Sequence, residues 1–215
     1  MKDDYYKSRY VFDSKRSIVW KEIVKFESRH IPKDAVVVDL GAGYCDFINN
    51  IRSAKKYAVD TSPELQNFAG KDVVAINQPA WNLFEIPNNS VDIVHASNLF
   101  EHFTDEELEK VMKEVKRILK KGGKLILMQP NYRLQPKKYF DDPTHKKVFS
   151  DAALESFLLF YDFKIVLKMT RFLPFSMRSD SSLIPNFLLP LLVKTYIHSP
   201  FKPFAGQMLF VAQNE

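Results

Sequence analysis

Residues 36–45 read Val36-Val37-Val38-Asp39-Leu40-Gly41-Ala42-Gly43-Tyr44-Cys45. The short β-branched run at their start predicts a strand buried on both faces, as in a parallel sheet. It leads straight into a turn in which Gly41 and Gly43 carry no Cβ, so the backbone can come within contact distance of a ligand. A cofactor is therefore expected across the carboxyl end of this strand. Glycine pairs after strands are common, so the turn alone decides little.

Two carboxylates sharpen it. Asp60 closes the next apolar segment about twenty residues on, where an acid can accept hydrogen bonds from both ribose hydroxyls of a nucleoside cofactor; Thr61 follows it. Asp39 stands two residues before the first glycine, where a dinucleotide fingerprint carries a small residue, and Asp46 stands where that fingerprint carries its last glycine. A carboxylate at a strand tip attracts an α-amino group and repels a pyrophosphate. The set Asp39, Gly41, Ala42, Gly43, Asp60 and Thr61 thus favours S-adenosylmethionine over NAD. The competing reading of Asp39 is a buried acid tying down the amides of the loop.

Working outward, apolar residues at helical spacing from Ile18 to about Arg29 predict a first helix capped by Asp13 or Ser14 and ended by Pro32. Strands are expected at 36–40, 57–60, 73–76, 91–96 and 124–128, alternating with helices at 45–53 and 63–69. The helix after the fourth strand is the best specified. Thr104 and Glu107 form a capping box, Leu108, Val111, Met112, Val115, Ile118 and Leu119 form its inner stripe, and Gly122 and Gly123 stop it. Ser150 caps a helix through Phe160, and 163–169 and 208–212 are the last two strands, pairing antiparallel at the sheet edge. The fold expected is a Rossmann-like α/β sandwich, mostly parallel and seven-stranded with an antiparallel last strand. It comprises an N-terminal helical cap (1–32), a cofactor-binding core (33–170) and an insertion before the last strand (171–206).

From roughly Lys33 to Met128 the chain resembles the class I S-adenosylmethionine-dependent methyltransferases. Asp39, Gly41 and Gly43 match the acidic residue and alternating glycines of the family's first motif, with Cys45 at the third glycine, where it narrows the space beside the cofactor. Asp60 matches the ribose acid, residues 91–98 the fourth strand, 99–102 (Leu-Phe-Glu-His) the segment after it, and 117–123 the approach to the fifth. Residues 129–133, 139–145, 171–175 and 206–208 are similar to a bacterial subfamily suspected of acting on sugars or glycolipids. The resemblance implies methyl transfer to a hydroxyl of a small molecule, sugar or glycolipid. The acceptor would lie over the ends of strands four and five, with Asn98 touching the methionyl part or the acceptor.

A hydroxyl acceptor benefits from a base, and an imidazole is the usual one. His30 and His198 fall outside the expected site and His95 lies inside a strand. His145, with Asp141 or Asp142 to orient it, is the first candidate, and His102 the second, with a structural role as its alternative. No metal is assigned, because adjacent acids such as Asp141 and Asp142 seldom converge on one ion. Trp81 and Asn82 are placed near the adenine, with Trp81 equally readable as core. Tyr10, Arg16 and Trp20 are placed over the cofactor, Arg16 pairing its carboxylate or simply solvated.

The 215 residues carry a net charge of +5, and between 164 and 206 six basic residues face Asp180 alone. That local excess beside the apolar stretch 186–198 suggests peripheral contact with an anionic membrane, a homodimer interface or a solvated basic face. The basic residues form no dense arm, so no nucleic-acid partner is expected. The longest apolar run, 187–193, contains Pro190 and is far short of the roughly twenty residues that cross a bilayer. One cysteine and a polar start suggest a cytoplasmic address. The alternative functions are a non-catalytic cofactor-binding domain and an NAD(P)-dependent oxidoreductase; the missing last glycine and Asp39 count against the latter.

Overall fold

The computed structural model describes residues 14–174 and 184–215. Tyr10 and Asp13, and the charges of Arg178 and Asp180, lie outside the described residues. Within them, strands β1 Val36–Leu40, β2 Lys55–Val59, β3 Val73–Ile76, β4 Val91–Ser97, β5 Leu119–Pro130, β6 Phe163–Met169 and β7 Gln207–Asn214 form one sheet. Its order is β3-β2-β1-β4-β5-β7-β6. β1 to β5 pair in parallel, while β7 runs antiparallel to both β5 and β6. This is the Rossmann-like sandwich expected from the sequence. β7, last in the chain, lies inside the sheet, and β6 takes the edge.

The helices are α1 Ser14–Glu27, α2 Leu65–Phe68, α3 Asp105–Ile118, α4 Pro136–Tyr139, α5 Asp151–Phe160 and α6 Leu189–His198. Alternate residues of the inner strands feed opposite apolar layers. Val38, Leu40, Val94 and Ala96 pack with α3 and α5, whereas Val37, Ile93, Ile126 and Val211 pack with α1 and Ile197 of α6. Each buried aliphatic side chain contributes about 1.5–3 kcal/mol, so the two-sided burial of β1 and β4 fixes the tips on which the site is built. The capping box of α3 is present as read: Thr104 Oγ1 accepts from the Glu107 amide at 3.2 Å, and the Glu107 carboxylate accepts from the Thr104 amide at 2.8 Å. Ser150 likewise caps α5 through the Ala153 amide, at 3.1 Å.

Two expectations are corrected. Residues 45–53 form no regular helix. Cys45 sits at φ +59°, in the left-handed region, and the Asn50 side chain takes the Asp46 carbonyl at 2.8 Å, so only isolated turns survive, such as Asn49 N to Cys45 O at 3.0 Å. Helix α3 ends at Ile118, before the glycines, and β5 is already paired at Leu119 with Val91. Gly122, at φ +79°, instead serves the irregular stretch where the β4–β5 register shifts. Among the described residues no helix is long and apolar enough to cross a membrane.

Candidate active site

The turn after β1 closes on the tip of β2. The Gly41 and Ala42 amides donate to Val59 O at 2.8 and 3.1 Å, and Gly41 is at φ +66°. A Cβ there would lie 2.8 Å from Leu99 Cδ1, so this glycine is required by close approach as well as by its backbone. Asp60 is the acid that pins the turn. Its Oδ2 accepts from the Gly43 amide and its Oδ1 from the Ser62 amide, both at 2.8 Å. These two bonds take up two of the roughly four acceptor positions of a carboxylate and orient it. Asn77 steadies the same tip, donating to the carbonyls of Asp60 at 3.0 Å and Ser62 at 2.7 Å. Thr61 is exposed beside it.

Asp39 does not tie down the loop amides. It faces inward from the tip of β1, where its Oδ1 accepts from His95 Nδ1 at 2.7 Å, and His95 Nε2 lies 3.5 Å from Glu27 of α1. The Phe47 ring stacks on His95 at 3.7 Å. Burial pushes the Glu27 carboxyl up to about 7, partly opposed by His95. Burial also works against a charge on His95, but the facing Asp39 and Glu27 outweigh it and raise its pKa. His95 is thus a core residue, as read, and Glu27, which nothing in the sequence singled out, is its partner.

Arg16 does stand over the turn, but its Nε donates to Asp46 Oδ2 at 2.5 Å, and its guanidinium lies 5.9 Å from the rings of both Trp20 and Tyr44. Trp81 packs edge-on to Phe103 at 5.8 Å, and Asn82 donates to Gln78 at 3.0 Å on the loop after β3. Asn98, at φ +50°, follows β4 with its amide bonded to Met128 O at 2.8 Å. The thiol of Cys45 is buried and pushed up to about 12, so it is no nucleophile at neutral pH.

The two candidate histidines meet. The His102 and His145 rings lie 4.9 Å apart, edge to face. His145 Nδ1 donates to Tyr139 O at 2.6 Å, and its Nε2 lies 3.9 Å from Asp142 Oδ2 and 4.0 Å from Glu101 Oε1. The expectation that a neighbouring acid orients the ring is therefore corrected. A backbone carbonyl does so through Nδ1, and the nearby acids, Asp142 and Glu101, face the opposite nitrogen; Asp141 is exposed. Thr144 Oγ1 donates to Asp142 Oδ1 at 2.6 Å and bonds His102 Nδ1 at 2.9 Å. Glu101, which the sequence reading quoted without a role, is fully buried, and burial pushes its carboxyl up to about 8.

A sheet ordered 3-2-1-4-5-7-6 with a reversed seventh strand and a glycine turn at its first tip is the class I methyltransferase fold. Residues 38–127 match the family described as a methyltransferase domain. An uncharacterized methyltransferase of Anoxybacillus flavithermus is 27% identical over 95 residues, covering 42% of this chain and 45% of the relative, so the chain spans under half the length of that curated relative. The solved structure of an S-adenosylmethionine-dependent methyltransferase from Archaeoglobus fulgidus aligns with TM-score 0.65 at 19% identity, over 91% of this chain and 94% of that one. The Burkholderia thailandensis 1,6-didemethyltoxoflavin-N1-methyltransferase, solved with 1,6-didemethyltoxoflavin and S-adenosylhomocysteine bound, aligns with TM-score 0.58 at 16% identity, over 91% and 78%. At such identities the likeness is one of fold.

Proposed function

We propose that this chain transfers the methyl group of S-adenosylmethionine to a hydroxyl of a small molecule, a sugar or a glycolipid. One observation carries the reading: within the stretch that matches the methyltransferase family, the glycine turn at the tip of β1 is held by Asp60 at the tip of β2. In this reading Asp60 takes the ribose hydroxyls, with Thr61 beside it. Gly41, Ala42 and Gly43 face the methionyl part together with Asn98, while Asp39 supports the turn from behind through His95, and Trp81 and Asn82 face the adenine. Arg16 covers the turn through Asp46.

The reaction is an in-line displacement. An oxygen lone pair of the acceptor forms the new O–C bond while the C–S pair returns to sulfur, leaving neutral S-adenosylhomocysteine, and the hydroxyl proton departs. Alignment and exclusion of water carry much of the rate. The acceptor hydroxyl is placed beside His102 and His145, which handle its proton.

The test is transfer of labelled methyl from S-adenosylmethionine into sugar, lipid and small-metabolite fractions, with Asp60→Ala and His145→Ala alongside. We expect label in one fraction and its loss in both variants. Calorimetric binding of NADH with no response to S-adenosylhomocysteine would replace this reading with an oxidoreductase, and cofactor binding with no acceptor in any fraction would leave a binding domain.

The described part of the insertion supports a membrane-borne acceptor. Phe187, Leu191, Phe201 and Phe204 are exposed near Lys194, a mixture suited to an anionic lipid surface. Flotation with anionic liposomes at low salt is expected to carry the protein up; a protein left at the bottom, and dimeric in solution, would assign this face to a second copy instead.

A further inference from the structure

We propose that Glu101, His102 and His145 bind a divalent transition-metal cation, zinc by the chemistry of the donors, beside the acceptor position. The role of this ion rests on the methyl-transfer reading; its binding does not. One ligand atom from each residue lies within 4.8 Å of the other two.

The hydrogen bonds set both rings for ligation. Tyr139 O is only an acceptor, so His145 donates from Nδ1, and Nε2 is the nitrogen it turns toward Glu101 as a ligand atom. The single hydrogen of the Thr144 hydroxyl goes to Asp142, so that hydroxyl accepts from His102 Nδ1–H, and His102 likewise presents Nε2. An imidazole held through its far nitrogen by a carbonyl or by a hydroxyl backed with a carboxylate is the arrangement that steers metal-binding histidines.

Glu101 supplies the independent sign. It is fully buried, and neither carboxylate oxygen accepts a hydrogen bond. A buried carboxylate left without a donor is costly. Its Oε1 lies 4.0 Å from His145 Nε2, beyond hydrogen-bond reach. A cation between them supplies the carboxylate with the bond it lacks, and Asp142 Oδ2, 3.9 Å from the same nitrogen, is within reach as a further ligand. Two imidazoles with a carboxylate suit zinc and are foreign to magnesium, which takes oxygen ligands and keeps its waters. With bonds of about 2.1 Å, ligand atoms sit roughly 3.4 Å apart, so the cluster closes by about an ångström on binding. His102 is only partly buried and leaves a way in. With the ion bound, both Nε2 lone pairs are engaged, so the acceptor hydroxyl would be activated on the ion, which lowers its pKa, and the imidazoles would act as ligands in place of bases.

The full chain, stripped with a chelator, is titrated calorimetrically with zinc chloride, with manganese and magnesium as comparisons. We expect one zinc per chain, affinity weakened on the order of tenfold or more in Glu101→Gln and His145→Ala, and a zinc-induced rise in melting temperature that Glu101→Gln lacks. Both variants are also titrated with S-adenosylhomocysteine, whose unchanged affinity shows that they are folded. No zinc uptake by the wild-type chain, or uptake unchanged in both variants, overturns the site. Zinc uptake in a chain that binds no S-adenosylhomocysteine keeps the site and removes the methyl-transfer reading, whereas full-rate transfer by the stripped chain removes the ion from the reaction.

Discussion

Replacing Glu27 with Gln tests the buried row Asp39–His95–Glu27 beneath the glycine turn. Glu27 is fully buried with neither oxygen hydrogen-bonded, and its carboxyl is raised from 4.5 to about 7. At about 1.36 kcal/mol per pH unit, that rise is worth about 3 kcal/mol. Between these two values the folded chain holds a proton that the unfolded chain has released, so this contribution is complete below pH 4.5 and is lost as pH climbs through about 7. His95, raised by the same neighbours, works in the same direction and loses part of its support when Glu27 becomes neutral. Glutamine keeps the volume and cannot ionise. The stability of Glu27→Gln relative to wild type should therefore improve by about 3 kcal/mol from pH 4.5 to pH 8. Urea unfolding at half-unit pH steps reads this directly. A difference between the two proteins that stays constant across the range would refute the raised carboxyl and the packing that causes it.

Gly41→Ala forces a side chain into left-handed backbone and against Leu99; the cost should be about 2 kcal/mol or more, read as a lower melting temperature with loss of S-adenosylhomocysteine binding, and a wild-type melt would contradict the close approach. Arg117 bonds Glu114 and the carbonyls of Leu83 and Ile86 at 2.7–2.9 Å, clamping the loop between β3 and β4. Arg117→Ala is expected to cost about 2–3 kcal/mol in urea unfolding, and a loss below half a kcal/mol would show the clamp to be idle. Cys45, buried and with its thiol near 12, should resist iodoacetamide at pH 8 until urea unfolds the chain; labelling at the rate of a free peptide thiol would mean that the turn opens.

The bounds of β3 and β6 were readable to the residue, because the continuous apolar run of β3 and the large apolar residues around Lys164 and Lys168 in β6 both stop at polar breaks. The capping box was equally legible, being local to four residues. The turn after Gly43 was not, since the Asn50 side chain takes the Asp46 carbonyl that a helix would use and the Asn49 side chain ties the segment to Phe68 and Gly70, a competition that periodicity does not register. The histidine pair was found as two separate candidates. Their meeting depends on Tyr139 O and Thr144, and the orienting group was misread because a backbone carbonyl leaves no trace in residue type. Glu27 drew no notice at the end of the first helix. The one available signal was His95 inside an apolar strand, which demands a partner from some other element.

The placement of β7 bears on how the chain reaches this state. β5 and β6 both wait for a strand that begins nearly forty residues after β6 ends. At synthesis rates of about 5–20 residues per second, the gap lasts roughly two to eight seconds. For that interval β6 has no ladder partner, and its backbone is open to any passing edge. Through those seconds the growing chain carries an open strand edge, so the hazard of mispairing belongs to its synthesis rather than to the finished fold.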